Sequence, residues 1–153
     1  MTAMTQCENH IRLSPRHLLI LHLVACILVV SGGAAALQDI LDSLGQDHVF
    51  PMSFKSWALA AHGGAAMIFL VLLGTLLPTH VVRAWRSGRN RLSGVALLVA
   101  IGLLVVSGYG LYYFGGDRLR NVTQWTHLGL GILEPILFIM HLILGRRTRP
   151  VVA

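Results

Sequence analysis

Residues 125–144 read WTHLGLGILEPILFIMHLIL, and this stretch decides the fold. It is apolar over the length a helix needs to cross about 30 Å of hydrocarbon, and Glu134 is its single carboxylate. His127 and His141 stand fourteen residues apart within it. At 100° per residue that step returns to within about 40° of its starting direction, and at 1.5 Å per residue it covers roughly 21 Å. One helix therefore presents two imidazoles on one face, near opposite sides of a bilayer.

Three more runs have the same character: Leu18 to Leu37, Trp57 to Pro78 and Leu92 to Phe114. Together with Trp125 to Leu144 they take up more than half of the 153 residues, so no separate soluble domain fits and residues 1–153 read as one membrane domain. A chain that is 55% hydrophobic and 12% charged, with a mean hydropathy of +0.70, lies outside soluble usage. Unbroken apolar runs of this length exclude a β-barrel, whose strands alternate in shorter segments. The expected fold is all-α, a four-helix transmembrane bundle.

Charge sets the orientation. Arg12 and Arg16 precede the first span, Arg83, Arg86, Arg89 and Arg91 fill the loop between spans two and three, and Arg146, Arg147 and Arg149 follow the fourth. These nine of the twelve basic residues fall on one side, which the positive-inside rule makes cytoplasmic. Both termini are expected there. The opposite loops hold Lys55, Arg118 and Arg120 against Asp39, Asp42, Asp47 and Asp117. The sequence pI near 10.4 thus reflects topology. Arg83 to Arg91 lacks the interleaved aromatics of a base-stacking platform, so the chain is read as a lipid-embedded protein that binds no nucleic acid.

Ser14 as N-cap with Pro15 behind it forms a good start for the first helix. The same region, with a basic stretch, an apolar core from Leu18 to Val30 and small residues from Ser31 to Ala36, also has the make-up of a cleavable secretory signal, whose removal would delete His22. Cys7 belongs to the reducing side and Cys26 to the first span, so no disulfide is expected and Cys26 reads as a small core residue. Leu37, Ile40, Leu41 and Leu44 follow helical spacing and suggest a short amphipathic helix on the outer interface. Tyr109, Tyr112, Tyr113, Phe114 and Trp125 bracket the second outer loop as an aromatic belt.

Histidine at membrane depth is costly unless paired or bound, which makes several of them a functional hypothesis by default. His22 lies in the first span toward the inner side, His62 in the second toward the outer side, and the third span has none. A bundle bringing the first two spans against the fourth would form an outer pair, His62 with His127, and an inner pair, His22 with His141. Tetrahedral zinc or copper wants a third and fourth ligand that neither level supplies. Haem iron wants two axial ligands, and Gly33, Gly63, Gly64, Gly129 and Gly131 would leave room for the macrocycle. With both axial positions filled, such a haem carries electrons and has no open site at iron.

One histidine in span one, one in span two forty residues later, none in span three and two in span four separated by fourteen resemble the di-haem cytochrome b subunits of membrane-bound formate dehydrogenases and nickel-iron hydrogenases, and bacterial cytochrome b561. The resemblance covers residues 15–147. It implies two b haems, the outer on His62 and His127 and the inner on His22 and His141. It also implies electron exchange between a periplasmic-side dehydrogenase or hydrogenase subunit and quinone, in the bacterial inner membrane, with no catalytic residue in this chain. The chain departs from the family in being short.

His80 stands five turns beyond His62, and Pro78 should bend the helix before it. It reads as an interfacial side chain, a propionate or quinone contact, or an alternative inner ligand. Arg83, Asn90 and Ser93 are the other polar groups at hand for a quinone. Glu134 stands midway between the span-four histidines and reads as a locally satisfied carboxyl or a proton-handling group; Pro135 beside it should kink the helix. The competing functions are a stand-alone cytochrome b561-type quinol oxidase and a cofactor-free membrane anchor or histidine-based metal transporter.

Overall fold

The computed structural model describes residues 14–46, 50–88 and 90–147. His10, Arg12, Asp47, His48, Arg89, Arg149 and Cys7 lie outside them. Among the described residues there is no strand, and four helices are long and apolar enough to cross a membrane. They are α1 (Pro15–Ser43), α2 (Met52–Leu76), α4 (Arg91–Tyr113) and α5 (Asp117–Arg147), with α2 continued by a π-helical turn, Leu77–Val81, and a short α3 (Val82–Arg86). The all-α expectation holds, and each span overlaps the run that predicts it.

The chain divides into two compact units, Met1–Arg83 and Ala84–Ala153. The first holds the hairpin of α1 and α2. His17 at the start of α1 lies beside Thr75 near the end of α2, Leu28 beside His62, and Asp39 beside Lys55 at the start of α2, so the two helices run antiparallel. The second unit holds the hairpin of α4 and α5, antiparallel by the same reasoning: Ser93 lies beside His141 and Ser107 beside His127.

Local chemistry accounts for the ends. The Ser14 hydroxyl accepts from the His17 N–H at 3.2 Å and Pro15 occupies the first turn, where its missing N–H costs nothing. Nothing between Leu37 and Ser43 interrupts the hydrogen-bond ladder, so the amphipathic segment expected as a separate interfacial helix continues α1 instead. It stops at Gly45, whose φ of +73° suits a residue without Cβ. Pro78 cannot donate to the α-helical ladder, and the chain answers with the wider π turn around it. Pro135 is tolerated inside an otherwise continuous α5.

Large apolar side chains stand exposed in stripes, among them Ile132, Ile136, Ile139 and Ile143 along one face of α5. Such a face belongs in hydrocarbon. The buried side of α1 runs through Leu21, Val24, Ser31 and Ala35. Cys26 falls off that stripe and is exposed, which corrects its reading as a core residue.

Candidate functional site

In the second hairpin the two histidines of α5 each face a Ser-Gly pair on α4. Ser107 Oγ lies 2.9 Å from His127 Nδ1, and Ser93 Oγ lies 3.0 Å from His141 Nδ1. Gly108 and Gly94 follow those serines, and a Cβ on either would come within 3.3 Å of His127 Cε1 or 3.6 Å of His141 Cε1. At Gly108 the missing side chain lets the ring settle against α4, whereas at Gly94 a Cβ would make ordinary contact. Ser93 and Ser107 are themselves fourteen residues apart, so the spacing of the histidines is matched on the facing helix.

In the first hairpin His62 meets a third Ser-Gly pair, on α1. Its Nδ1 lies 3.0 Å from the Leu28 carbonyl and 3.4 Å from Ser31 Oγ, and a Cβ on Gly32 would fall 2.9 Å from Cε1. His22 has a different arrangement. Its Nδ1 bonds at 2.6 Å to the carbonyl of Leu18, one turn back on its own helix, and its side chain is exposed.

Two of these contacts assign a tautomer. A carbonyl can only accept, so His22 and His62 carry hydrogen on Nδ1. Ser107 Oγ also lies 2.7 Å from Leu103 O and Ser93 Oγ 3.2 Å from Asn90 O, so each hydroxyl can give its one hydrogen to its own helix and accept from the facing histidine, or give it to Nδ1. In the first arrangement His127 and His141 match His22 and His62, with hydrogen on Nδ1. That is the state of a metal-ligating histidine, whose other ring N–H is normally held by a carbonyl or similar acceptor. His17 shows the opposite pattern. There it is Nε2 that meets a hydroxyl, that of Thr75 at 3.2 Å, which also lies 2.7 Å from Leu72 O.

The remaining candidates divide between the units. Asn90 lies with Ser93 at the His141 end: it opens α4 in the left-handed region at φ +50°, and its Nδ2 approaches the His141 carbonyl at 3.5 Å. A groove of about 510 Å³ there is lined by Asn90, Arg91 and Ser93 together with Leu137, Met140 and Leu144. Arg91 is anchored by donating to the Trp85 carbonyl at 2.9 Å and stacks over the Trp85 ring. His80 and Arg83 belong to the first unit; His80 is half-buried in the π turn, with Nδ1 shielded and unpartnered among the described residues. Glu134 lies half-buried between the two histidines of α5.

Among the described residues no three His, Cys, Asp or Glu side chains gather into a metal-binding group. Ser31 and Ser107 were not legible as site residues from histidine spacing, and Ser93 was read only as a polar group for a quinone; the trace the three leave is the dipeptide Ser-Gly, three times within spans and twice at the fourteen-residue step. Comparison with protein-family models, with curated proteins and with solved structures found no match.

Proposed function

We propose that this chain is a membrane electron-transfer cytochrome b of the bacterial inner membrane, with both termini cytoplasmic and His22, His62, His127 and His141 as axial ligands of two b haems. The observation that carries the reading is a shared contact: each of the four Nδ1 atoms lies against a backbone or seryl oxygen able to accept its hydrogen, the arrangement in which a histidine would ligate through Nε2. Gly32 and Gly108 add to it, because at each an added Cβ would crowd a histidine ring.

A haem held by two histidines supplies one-electron transfer with no open position at iron. The chain's own residues do the rest. The Leu18 and Leu28 carbonyls and the Ser93 and Ser107 hydroxyls hold the ring protons and thereby the ring planes. At the His141 end, Asn90, Arg91 and Ser93 border the groove in which a quinone would exchange its electrons, with amide, guanidinium and hydroxyl groups available to its carbonyl oxygens; His80 and Arg83 are further candidates for quinone or propionate contact. The electrons would come from, or go to, a periplasmic-facing dehydrogenase or hydrogenase subunit, which makes this chain a carrier without substrate chemistry of its own.

The test is the absorption spectrum of the purified protein. Two b haems per chain by pyridine haemochrome, with a sharp reduced alpha band, are expected; colourless protein expressed under haem-replete conditions overturns the reading in favour of a cofactor-free anchor or transporter. Co-purification of a dehydrogenase or hydrogenase subunit separates the complex-bound cytochrome from a stand-alone quinol oxidase.

A further inference from the structure

Helix α4 carries no histidine, yet it touches both histidines of α5 through the same two-residue device. At each level a serine hydroxyl lies within hydrogen-bond distance both of Nδ1 and of a carbonyl of its own helix, so it can accept from Nδ1–H while donating back to α4, and a glycine follows it. The two levels are fourteen residues, roughly 21 Å, apart, so they serve two different cofactors if they serve any.

We propose that Ser93 and Ser107 are positioning residues, one for each haem, which hold His141 and His127 in the ligating tautomer and lower the midpoint potential of the haem that each histidine binds. This rests on the haem reading above. Accepting a hydrogen bond from Nδ1 increases the electron donation of Nε2 to the metal, and a better donor favours the ferric over the ferrous state. Because each serine touches one histidine, its influence falls on one haem. The first hairpin provides the control: Ser31 also lies near a ring Nδ1, at 3.4 Å, but there the Leu28 carbonyl at 3.0 Å holds the same proton.

The experiment is a redox titration of the purified, haem-loaded protein followed at the alpha bands, for wild type, Ser93→Ala, Ser107→Ala and Ser31→Ala, with Ser93→Thr and Ser107→Thr restoring the hydroxyl. Each of the first two alanine variants should raise the midpoint of one haem, a different one in each. The expected size is about a threefold change in the ratio of reduced to oxidised haem at fixed potential, roughly 28 mV for one electron. The threonine variants should return toward wild type, and Ser31→Ala should move neither midpoint. An alanine variant that loses one haem while its threonine counterpart keeps both also supports the proposal. Unmoved midpoints overturn it, as do shifts of both haems together or a Ser31→Ala shift equal to that of Ser107→Ala, which would mark a general loss of a buried hydroxyl. Colourless wild-type protein removes the haem reading and this inference with it; coloured protein with immovable midpoints removes this inference alone.

Discussion

In the hairpin of α4 and α5 both histidines sit in copies of one cradle, a seryl oxygen at Nδ1 and a glycine under the ring, at levels fourteen residues apart. In the hairpin of α1 and α2 the two histidines are held in unlike ways. His62 has a Ser-Gly pair and a carbonyl on the facing helix, whereas His22 turns back onto its own Leu18 carbonyl. The interval also differs, since His62 meets α1 between Leu28 and Gly32, only six to ten residues beyond His22. What the four share is an oxygen at Nδ1. The difference teaches that a ring nitrogen can be held either by a neighbouring helix or by the histidine's own helix, and that only the first route makes residues of another helix part of the arrangement.

The largest effects test whether the shared Nδ1 contact marks ligands at all. His127→Leu should reduce the haem count from two to one per chain by pyridine haemochrome, and His22→Leu should do the same even though its ring is held without help from another helix. His17→Leu should keep both, because its Nε2 is already engaged by Thr75. A full haem count in His127→Leu, or a loss in His17→Leu, breaks the correspondence between the Nδ1 contact and ligation.

Next come the glycines, which rank themselves by distance. An added Cβ at Gly32 falls 2.9 Å from His62 Cε1 and 3.0 Å from Nδ1, at Gly108 3.3 Å from His127 Cε1, and at Gly94 3.6 Å from His141 Cε1. The last is ordinary contact, while the first requires the ring or the helix to shift, which strains the contact with the Leu28 carbonyl. Gly32→Ala should therefore weaken haem retention in the outer-ligand position most, Gly108→Ala less, and Gly94→Ala least, read as the fraction of haem kept after gel filtration. Equal loss from all three would mean that the glycines matter for helix packing and not for the rings.

Much of this was open to inspection in the sequence. Apolar length identified the four spans, and the fourteen-residue step singled out His127 and His141, because helical geometry converts spacing into direction without further information. The acceptors at Nδ1 were not accessible that way. Which carbonyl or hydroxyl meets a ring depends on the register between helices, and register is set by packing over the whole hairpin. Serine inside an apolar helix passes for a residue bonded to its own i−4 carbonyl, and Ser107 does lie within reach of Leu103 O; only the structure reveals its second contact, with His127. The extension of α1 through Ser43 was missed for a related reason, since amphipathic spacing indicates a helix but not where one helix becomes two.

A smaller effect belongs to the loop that starts the second hairpin. Asn90 adopts φ +50°, ψ +30°, a conformation that costs residues with a Cβ roughly 1–2 kcal/mol unless, like Asn, they are adapted to it. Asn90→Ala should lower the thermal midpoint of the detergent-solubilised protein, and Asn90→Gly should recover most of the loss by relieving the backbone. If glycine fails to recover it, the side chain's approach to the His141 carbonyl and to Gly145 carries the contribution instead.

The smallest effect should come from the ion pair of the first hairpin, Lys55 with Asp39, which has no counterpart among the described residues of the second. Both side chains keep about a third of their surface, 37% and 32%. At that exposure water screens the attraction, and ordering a lysine side chain consumes part of what is left, so exposed pairs measure about 0.2–1 kcal/mol. The pair joins the far extension of α1 to the first turn of α2, beyond every histidine contact, and its loss should leave the haem spectra untouched. A double-mutant cycle with Lys55→Ala and Asp39→Ala, read by unfolding in detergent, should give a coupling within that range that shrinks as salt is raised. A coupling well above 1 kcal/mol and indifferent to salt would mean that the pair is shielded from water in the native protein, and the two hairpins would then differ in how their ends are covered as well as in how their histidines are held.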